Sequence, residues 1–168
     1  AIVLYRLNAT AEAERELEAR TANVVWRDVD ALRSDLLIDA HRALYGRLPE
    51  DDRRSPEGIA IAPGSVRVDD VTVGRHDAPA HGSIRAFFGR MDDTYPKLRG
   101  VDSLLCGIAA AHHRFAWVHP FVDGNGRACR LQTHCALFPL NGGLWSVNRG
   151  LARDRDGYYL HLANADQP

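Results

Sequence analysis

HPFVDGNGRACR, residues 119–130, sets a histidine, a proline-stiffened turn, an acid and a Gly-Asn-Gly loop ahead of a helix carrying two arginines. Gly124 and Gly126 permit positive φ and let the backbone come close to a bound group. A helix that starts here presents unpaired N–H groups and a partial positive charge, which suit a phosphate. Arg127 and Arg130, three residues apart, fall on one helical face. Two forked cations beside such a loop suit a run of phosphates. Asp123 is the one carboxylate of these twelve residues. Mg²⁺ commonly uses one or two carboxylates together with phosphate oxygens and water, so Asp123 is the candidate ligand. Taken singly, the histidine reads as a packing residue, Gly-Asn-Gly as a turn and the arginines as solvated charges; the combination points to a site.

Around this stretch the pattern is helical with one short β interruption. A first helix is expected over Thr10–Ala22. A second begins near Asp28, with Val29, Leu32, Leu36, Ala40 and Leu44 on one stripe and Gly46 as its cap. Residues 47–64 are charged and turn-rich and read as a surface loop. SVRVDDVTVG, residues 65–74, holds two β-branched runs about Asp69-Asp70 and predicts a hairpin lying on the helical body. A third helix is expected over Ser83–Tyr95, with Ile84, Phe87, Phe88 and Met91 inward and Pro96 ending it. The next runs from Asp102 to Val118, apolar round most of its circumference and so expected to be the most buried. Another starts near Gly124 and ends before Pro139, and a last covers Arg149–Ala163. The fold class is mainly α with a short β-hairpin.

Composition narrows the function. The 168 residues are 45% hydrophobic and 26% charged, an ordinary globular balance that argues against disorder. This length suits one domain, residues 1–168, with a core over about 25–165 and residues 1–24 as an accessory extension. With 21 basic against 22 acidic side chains, nothing supports a nucleic-acid partner. No apolar run is long enough for a membrane span, and AIVLYRLNATAEAERE lacks the basic lead and apolar core of a signal peptide. A first residue of Ala rather than Met is what a piece of a longer protein would show. Cys106, Cys129 and Cys135 fit no disulfide framework and read as apolar packing residues; Cys129, His134 and Cys135 lack the second ligand pair of a zinc finger.

Residues 119–130 match HxFx[DE]GNGRxxR, the signature of the Fic family, at every specified position. The order of helix, hairpin, helix, long helix, motif loop and helix over about residues 25–165 also resembles that family. GSVRVDDVTVGRHDAP resembles the family's flap, which pins a target segment by strand pairing at an exposed edge. The resemblance implies a Fic-type helical bundle that transfers AMP from ATP to a Ser, Thr or Tyr hydroxyl of a target protein, releasing pyrophosphate.

Carried over to this chain, the resemblance makes His119 the general base and Asp123 the Mg²⁺ ligand. The Gly124, Asn125 and Gly126 backbone, helped by the Asn125 amide, becomes the anion cradle. Arg127 and Arg130 meet the β- and γ-phosphates. Phe121 points into the core and Pro120 stiffens the loop. Val71, Thr72, Val73 and Gly74 form the target-docking flap, and Tyr158 and Tyr159 wall an adenine pocket. His112 and His113 read as structural or surface residues, and His76 as a flap residue of more interest.

Relatives of this fold also move UMP or phosphocholine, or remove AMP, and a non-catalytic nucleotide-binding module is a further reading that the intact His119 disfavours. Kinase-like members carry Lys where Gly126 stands. The family's inhibitory motif, [ST]xxxE[GN], is approached by TAEAER, residues 10–15, which fails at its last position. An inhibitor is therefore expected in a separate antitoxin-like protein or elsewhere in a longer chain. A bacterial cytoplasmic toxin and an effector translocated into a host cell would read alike.

Overall fold

Leu37, Ala40, Leu44 and Tyr45 recur at helical intervals, and in the computed structural model they form the buried face of helix α1, Ser34–Gly46. The structure describes residues 31–74, 76–142, 144–145 and 147–166. The helix expected over Thr10–Ala22, the string at 10–15 and the start near Asp28 lie outside them. Helix α1 is followed by α2 (Ile84–Thr94), α3 (Val101–Val118), α4 (Asn125–Asn141), α5 (Val147–Arg153) and α6 (Arg155–Ala165). Helix α4 packs against both α1 and α3, and α2 against the same two. Ser34 begins α1 by donating its N–H and hydroxyl to the Asp92 carboxylate at 2.6 and 2.7 Å, which ties α1 to α2. The core gathers Leu37, Tyr45, Phe115, Val118, Phe121 and Leu131, all at most 1% exposed. Burying each such side chain contributes roughly 1.5–3 kcal/mol.

Helix α4, not α3, is the most buried. It buries Asn125, Ala128, Cys129, Leu131, Gln132, His134, Cys135 and Ala136, whereas α3 leaves Val101 58% and Leu105 40% exposed. The reason lies in its three helical neighbours, α1, α3 and α5, and in its buried polar groups being paired: Gln132 donates to the carbonyls of Ala31 and Arg33 at 3.0 and 2.8 Å. α4 also continues through Pro139 instead of stopping before it. A proline so near the end removes a single helical hydrogen bond, and the helix closes at Gly142, whose N–H reaches Phe138 O at 2.7 Å. The last expected helix is divided at Asp154, whose carboxylate accepts the Gly157 N–H and starts α6. Cys129 and Cys135 are buried as expected of packing residues, but Cys106 is exposed.

The hairpin is displaced along the chain. Strands β1 (Thr72–Val73) and β2 (His76–Asp77) pair antiparallel, with Thr72 opposite Asp77 and Val73 opposite His76. The run before Asp69 forms no strand, because Arg67 is drawn inward, its N–H onto Pro120 O at 2.8 Å and its side chain 1% exposed. Thr72, Val73 and Gly74 are exposed and Val71 half-buried. No helix among the described residues is long and apolar enough to cross a membrane.

Candidate active site

His119 ends α3 in the left-handed conformation, φ 49° and ψ 60°, the one non-glycine residue with positive φ among the described residues. Its N–H closes the last turn on Phe115 O at 3.2 Å. Ring atom Nδ1 lies 3.3 Å from Ala116 O, an acceptor only, so the neutral ring carries its proton on Nδ1 and its lone pair on Nε2. Burial pushes this imidazole below its ordinary value of 6.5, and the charges of Arg67 and His76 act in the same direction.

The chain then turns through Pro120 and Phe121, both fully buried. The Asn125 side chain closes this turn on itself. Its Oδ1 accepts the Phe121 N–H and its Nδ2 donates to Phe121 O, both at 2.8 Å. The amide expected to help an anion cradle thus also latches the loop, spending one of its two N–H donors there. Phe121 stacks on His41 with ring centroids 3.9 Å apart, and His41 stacks on Tyr45 at 4.5 Å.

Gly124, with φ 83°, caps α4. A Cβ there would stand 2.4 Å from Tyr45 Cε2, so the site demands glycine for space as well as for conformation. Ala128 N–H is the first to close within the helix, onto Gly124 O at 2.9 Å, and no side chain caps this end. The N–H groups of Asn125, Gly126 and Arg127 thus have no helical acceptor. Arg130 folds back over this first turn: a Cβ on Gly126 would meet its NH1 at 3.0 Å.

Asp123 and the two arginines are held from behind. Asp123 Oδ2 accepts the Tyr45 hydroxyl at 2.7 Å and Arg127 NH2 at 2.9 Å. The Arg127 guanidinium also lies over the Tyr45 ring at 5.1 Å and donates to its hydroxyl at 2.6 Å. Burial works to raise the Asp123 pKa, but the Tyr45 hydroxyl, the Arg127 charge and the Gly124 N–H outweigh it and hold the carboxyl below its ordinary range. The carboxylate is 31% exposed, and Oδ1 takes the Gly124 N–H at 2.6 Å with a lone pair to spare. These features fit a one-carboxylate magnesium site completed by phosphate and water oxygens. Among the described residues, no group of three or more His, Cys, Asp or Glu side chains stands together as a metal cage. Arg130 donates from Nε to Asn148 Oδ1 at 3.0 Å and also bonds the Tyr158 hydroxyl. Tyr158 in turn donates to His112 Nε2 at 2.9 Å, and His112 Nδ1 donates to Thr133 Oγ1 at 2.7 Å.

A model of the Fic/DOC family matches residues 31–137, which hold the motif, the hairpin and helices α1–α3 entire. The chain belongs to the Fic/DOC family. Two curated relatives, each named protein adenylyltransferase Fic, come from Drosophila willistoni and Drosophila virilis. They are 29% and 28% identical over 102 residues, 60% of this chain. The same stretch is 18% and 19% of those relatives' length, so this chain matches about a fifth of each. Among solved structures, a Fic family protein from Desulfovibrio desulfuricans G20 aligns with a TM-score of 0.71. It is 22% identical and covers 96% of this chain and 45% of its own, a likeness of fold.

The Fic motif is thus gathered at one place: His119 at the end of α3, and Asp123, Arg127 and Arg130 about the start of α4. Tyr158 is turned to Arg130 and His112, and Tyr159, 51% exposed beneath the Arg155 guanidinium, lies against the Tyr158 ring with centroids 5.1 Å apart. The residues hardest to find from sequence were His41, Tyr45, Arg67 and His112. His112, expected to be a structural or surface residue, is part of the Arg130 support through the Tyr158 hydroxyl. Tyr45 lies one residue past the end of the expected α1 stripe at Leu44, and nothing local singled out Arg67.

Proposed function

We propose that this Fic/DOC domain transfers AMP from ATP to a hydroxyl side chain of a target protein. What carries the reading is the His119 ring: Ala116 O holds its Nδ1 proton and so leaves the lone pair on Nε2, and the loop and helix start that follow it in the chain suit phosphate. Burial holds the imidazole neutral at cellular pH, the form a base needs. His119 Nε2 would accept the hydroxyl proton as the oxygen attacks the α-phosphorus. The bond from the α-phosphorus to the α,β-bridging oxygen breaks, the β- and γ-phosphates leave together as pyrophosphate, and AMP remains on the protein oxygen.

The backbone N–H groups of Asn125 to Arg127 would receive phosphate oxygens. Arg127 and Arg130 would meet the β- and γ-phosphates and stabilise the charge that grows on the leaving pyrophosphate. Asp123 would hold Mg²⁺ on the phosphates; when bound, the ion neutralises part of their charge. The β1 edge, Val71–Gly74, would take an extended target segment as an added strand. Names of the Drosophila relatives support the donor and the reaction type.

The test is incubation of the purified chain with protein extract and ATP labelled at the α- or the γ-phosphate, followed by mass spectrometry. Label from the α-position alone, on Ser, Thr or Tyr, is expected. His119→Ala should remain folded and bind ATP but transfer at least about 100-fold less, the usual scale of a lost general base. Transfer retained by that variant would remove His119 from the role, and label from the γ-position would replace AMP transfer by phosphorylation.

A further inference from the structure

We propose that Arg67 is the positioning residue for His119, a single buried guanidinium that fastens both roots of the hairpin to the end of helix α3. This rests on the reading of His119 as the base. Its Nε donates to His119 O at 2.8 Å and its NH2 to Val118 O at 3.3 Å. NH1 donates to Asp69 O at 2.6 Å and NH2 also to Pro79 O at 2.5 Å, and these two carbonyls stand just before and just after the hairpin. Four of the five guanidinium N–H groups are thereby spent on carbonyls of three separate segments, and the fifth faces Asp70 Oδ1 at 3.8 Å.

A side chain 1% exposed would be expensive to desolvate without that complete set of acceptors. Its charge also sits at the negative end of α3, where a cation is favoured. The backbone N–H of the same residue bonds Pro120 O, so Arg67 holds residues 118–120 from the side chain and the main chain together. Those are the residues around a backbone conformation that a non-glycine side chain adopts only when its surroundings impose it. His76 adds a parallel tie: its Nε2 donates to Trp117 O at 2.7 Å, fixing β2 to the last turn of α3.

The consequence is that target docking on β1 and placement of the base share one anchor. A target strand that shifts the hairpin acts on the carbonyl of His119 itself. None of the phosphate-facing groups of α4 bonds Arg67, so the effect should fall on transfer and spare nucleotide binding. Lysine cannot substitute, since an ammonium offers three donors and no planar fork.

The experiment compares wild type and Arg67→Lys by ¹⁵N imidazole NMR, thermal melting and single-turnover AMP transfer. Wild-type His119 should show the Nδ1–H tautomer; Arg67→Lys should show a mixture, with transfer slowed tenfold or more and the KM for ATP within twofold. An unchanged tautomer and rate would overturn the proposal, as would a rate loss matched by an equal loss of ATP affinity. Should Arg67→Lys fail to fold, Pro79→Ala keeps the guanidinium buried but loosens one hairpin root. It should slow transfer two- to fivefold and broaden the His119 ring signals, and the absence of both changes would refute the role. If the wild type transfers no AMP, the proposed function fails by itself, while the ring tautomer still decides the part played by Arg67.

Discussion

The Tyr45 hydroxyl donates to Asp123 Oδ2 at 2.7 Å across 78 residues of sequence, and the same oxygen receives Arg127. One buried phenol therefore sets the ionisation of the carboxylate and the direction of the guanidinium at once. Tyr45→Phe keeps the ring and its stack on His41 while deleting both bonds. A loss of about 1.5–3 kcal/mol in unfolding free energy is expected, the scale of a hydrogen bond to a charged group. The Asp123 pKa should rise toward its ordinary value of 3.8. Because the folded carboxyl lies below the unfolded one, its stabilising contribution is complete above about that value and is lost as pH falls through the folded pKa. Carboxyl ¹³C titration reads the shift directly, and an unmoved Asp123 signal would show that Tyr45 does not govern it.

Gly124 and Gly89 should respond to alanine in opposite ways. At Gly124 the new methyl meets both a positive φ and Tyr45 at 2.4 Å, so a cost of about 2–4 kcal/mol is expected from backbone strain and overpacking together. At Gly89, inside α2 with open space around it, alanine should stabilise by about 0.5–1 kcal/mol. Urea unfolding of the two variants measures both signs; equal effects would mean that the loop tolerates the side chain.

Acid should weaken the fold through two buried histidines. Burial pushes His41 and His112 from 6.5 down to about 4. His41 is already committed on both ring nitrogens, Nε2 donating to Asp123 O and Nδ1 accepting the Gly64 N–H. His112 is held between the Tyr158 and Thr133 hydroxyls. Between pH 6.5 and about 4 the unfolded chain takes up protons that the folded one refuses, so stability falls as pH falls. Each histidine contributes at most about 1.4 kcal/mol per pH unit across that window. Unfolding free energies at a series of pH values should slope accordingly, and His112→Gln should flatten the profile. A level wild-type profile would contradict the burial of both rings.

The three thiols should separate cleanly by reactivity. Cys106 is exposed, whereas burial pushes the Cys129 thiol up to about 12 and Cys135 is equally enclosed. Thiolate is the reactive form, so iodoacetamide at neutral pH should label Cys106 in the native protein and the other two only in denaturant. Peptide mass spectrometry of the native reaction decides it; rapid labelling of Cys129 would mean that α4 opens readily.

The motif was legible because its chemistry is contiguous: His119 to Arg130 holds the candidate base, metal ligand, loop and both cations within twelve residues. Helix periods gave α2 and α3 to within a residue at each end and the end of α1 at Gly46, since each stripe is written in one segment; residues 31–33, expected in α1, are not helical, and α1 starts at Ser34, where Asp92 takes the Ser34 N–H and hydroxyl. What could not be read was set by partners far away. Tyr45 meets Asp123 across 78 residues, Arg67 meets His119 across 52, and His112 meets Tyr158 across 46. The hairpin register failed on the same ground, because two β-branched runs look alike until one knows that Arg67 is claimed by the end of α3. The latch that the Asn125 amide makes on Phe121 was hidden for a simpler reason: an amide serves a ligand and its own loop equally well in sequence.

Those two bonds have a thermodynamic consequence for association. Fixing one residue's backbone costs roughly 1–2 kcal/mol of conformational entropy. By latching Phe121 to Asn125, the chain meets that cost for the intervening residues when it folds, ahead of any association. The turn would then meet a phosphate ligand preorganised, and the full strength of each new contact would go into affinity and speed instead of into ordering a slack segment.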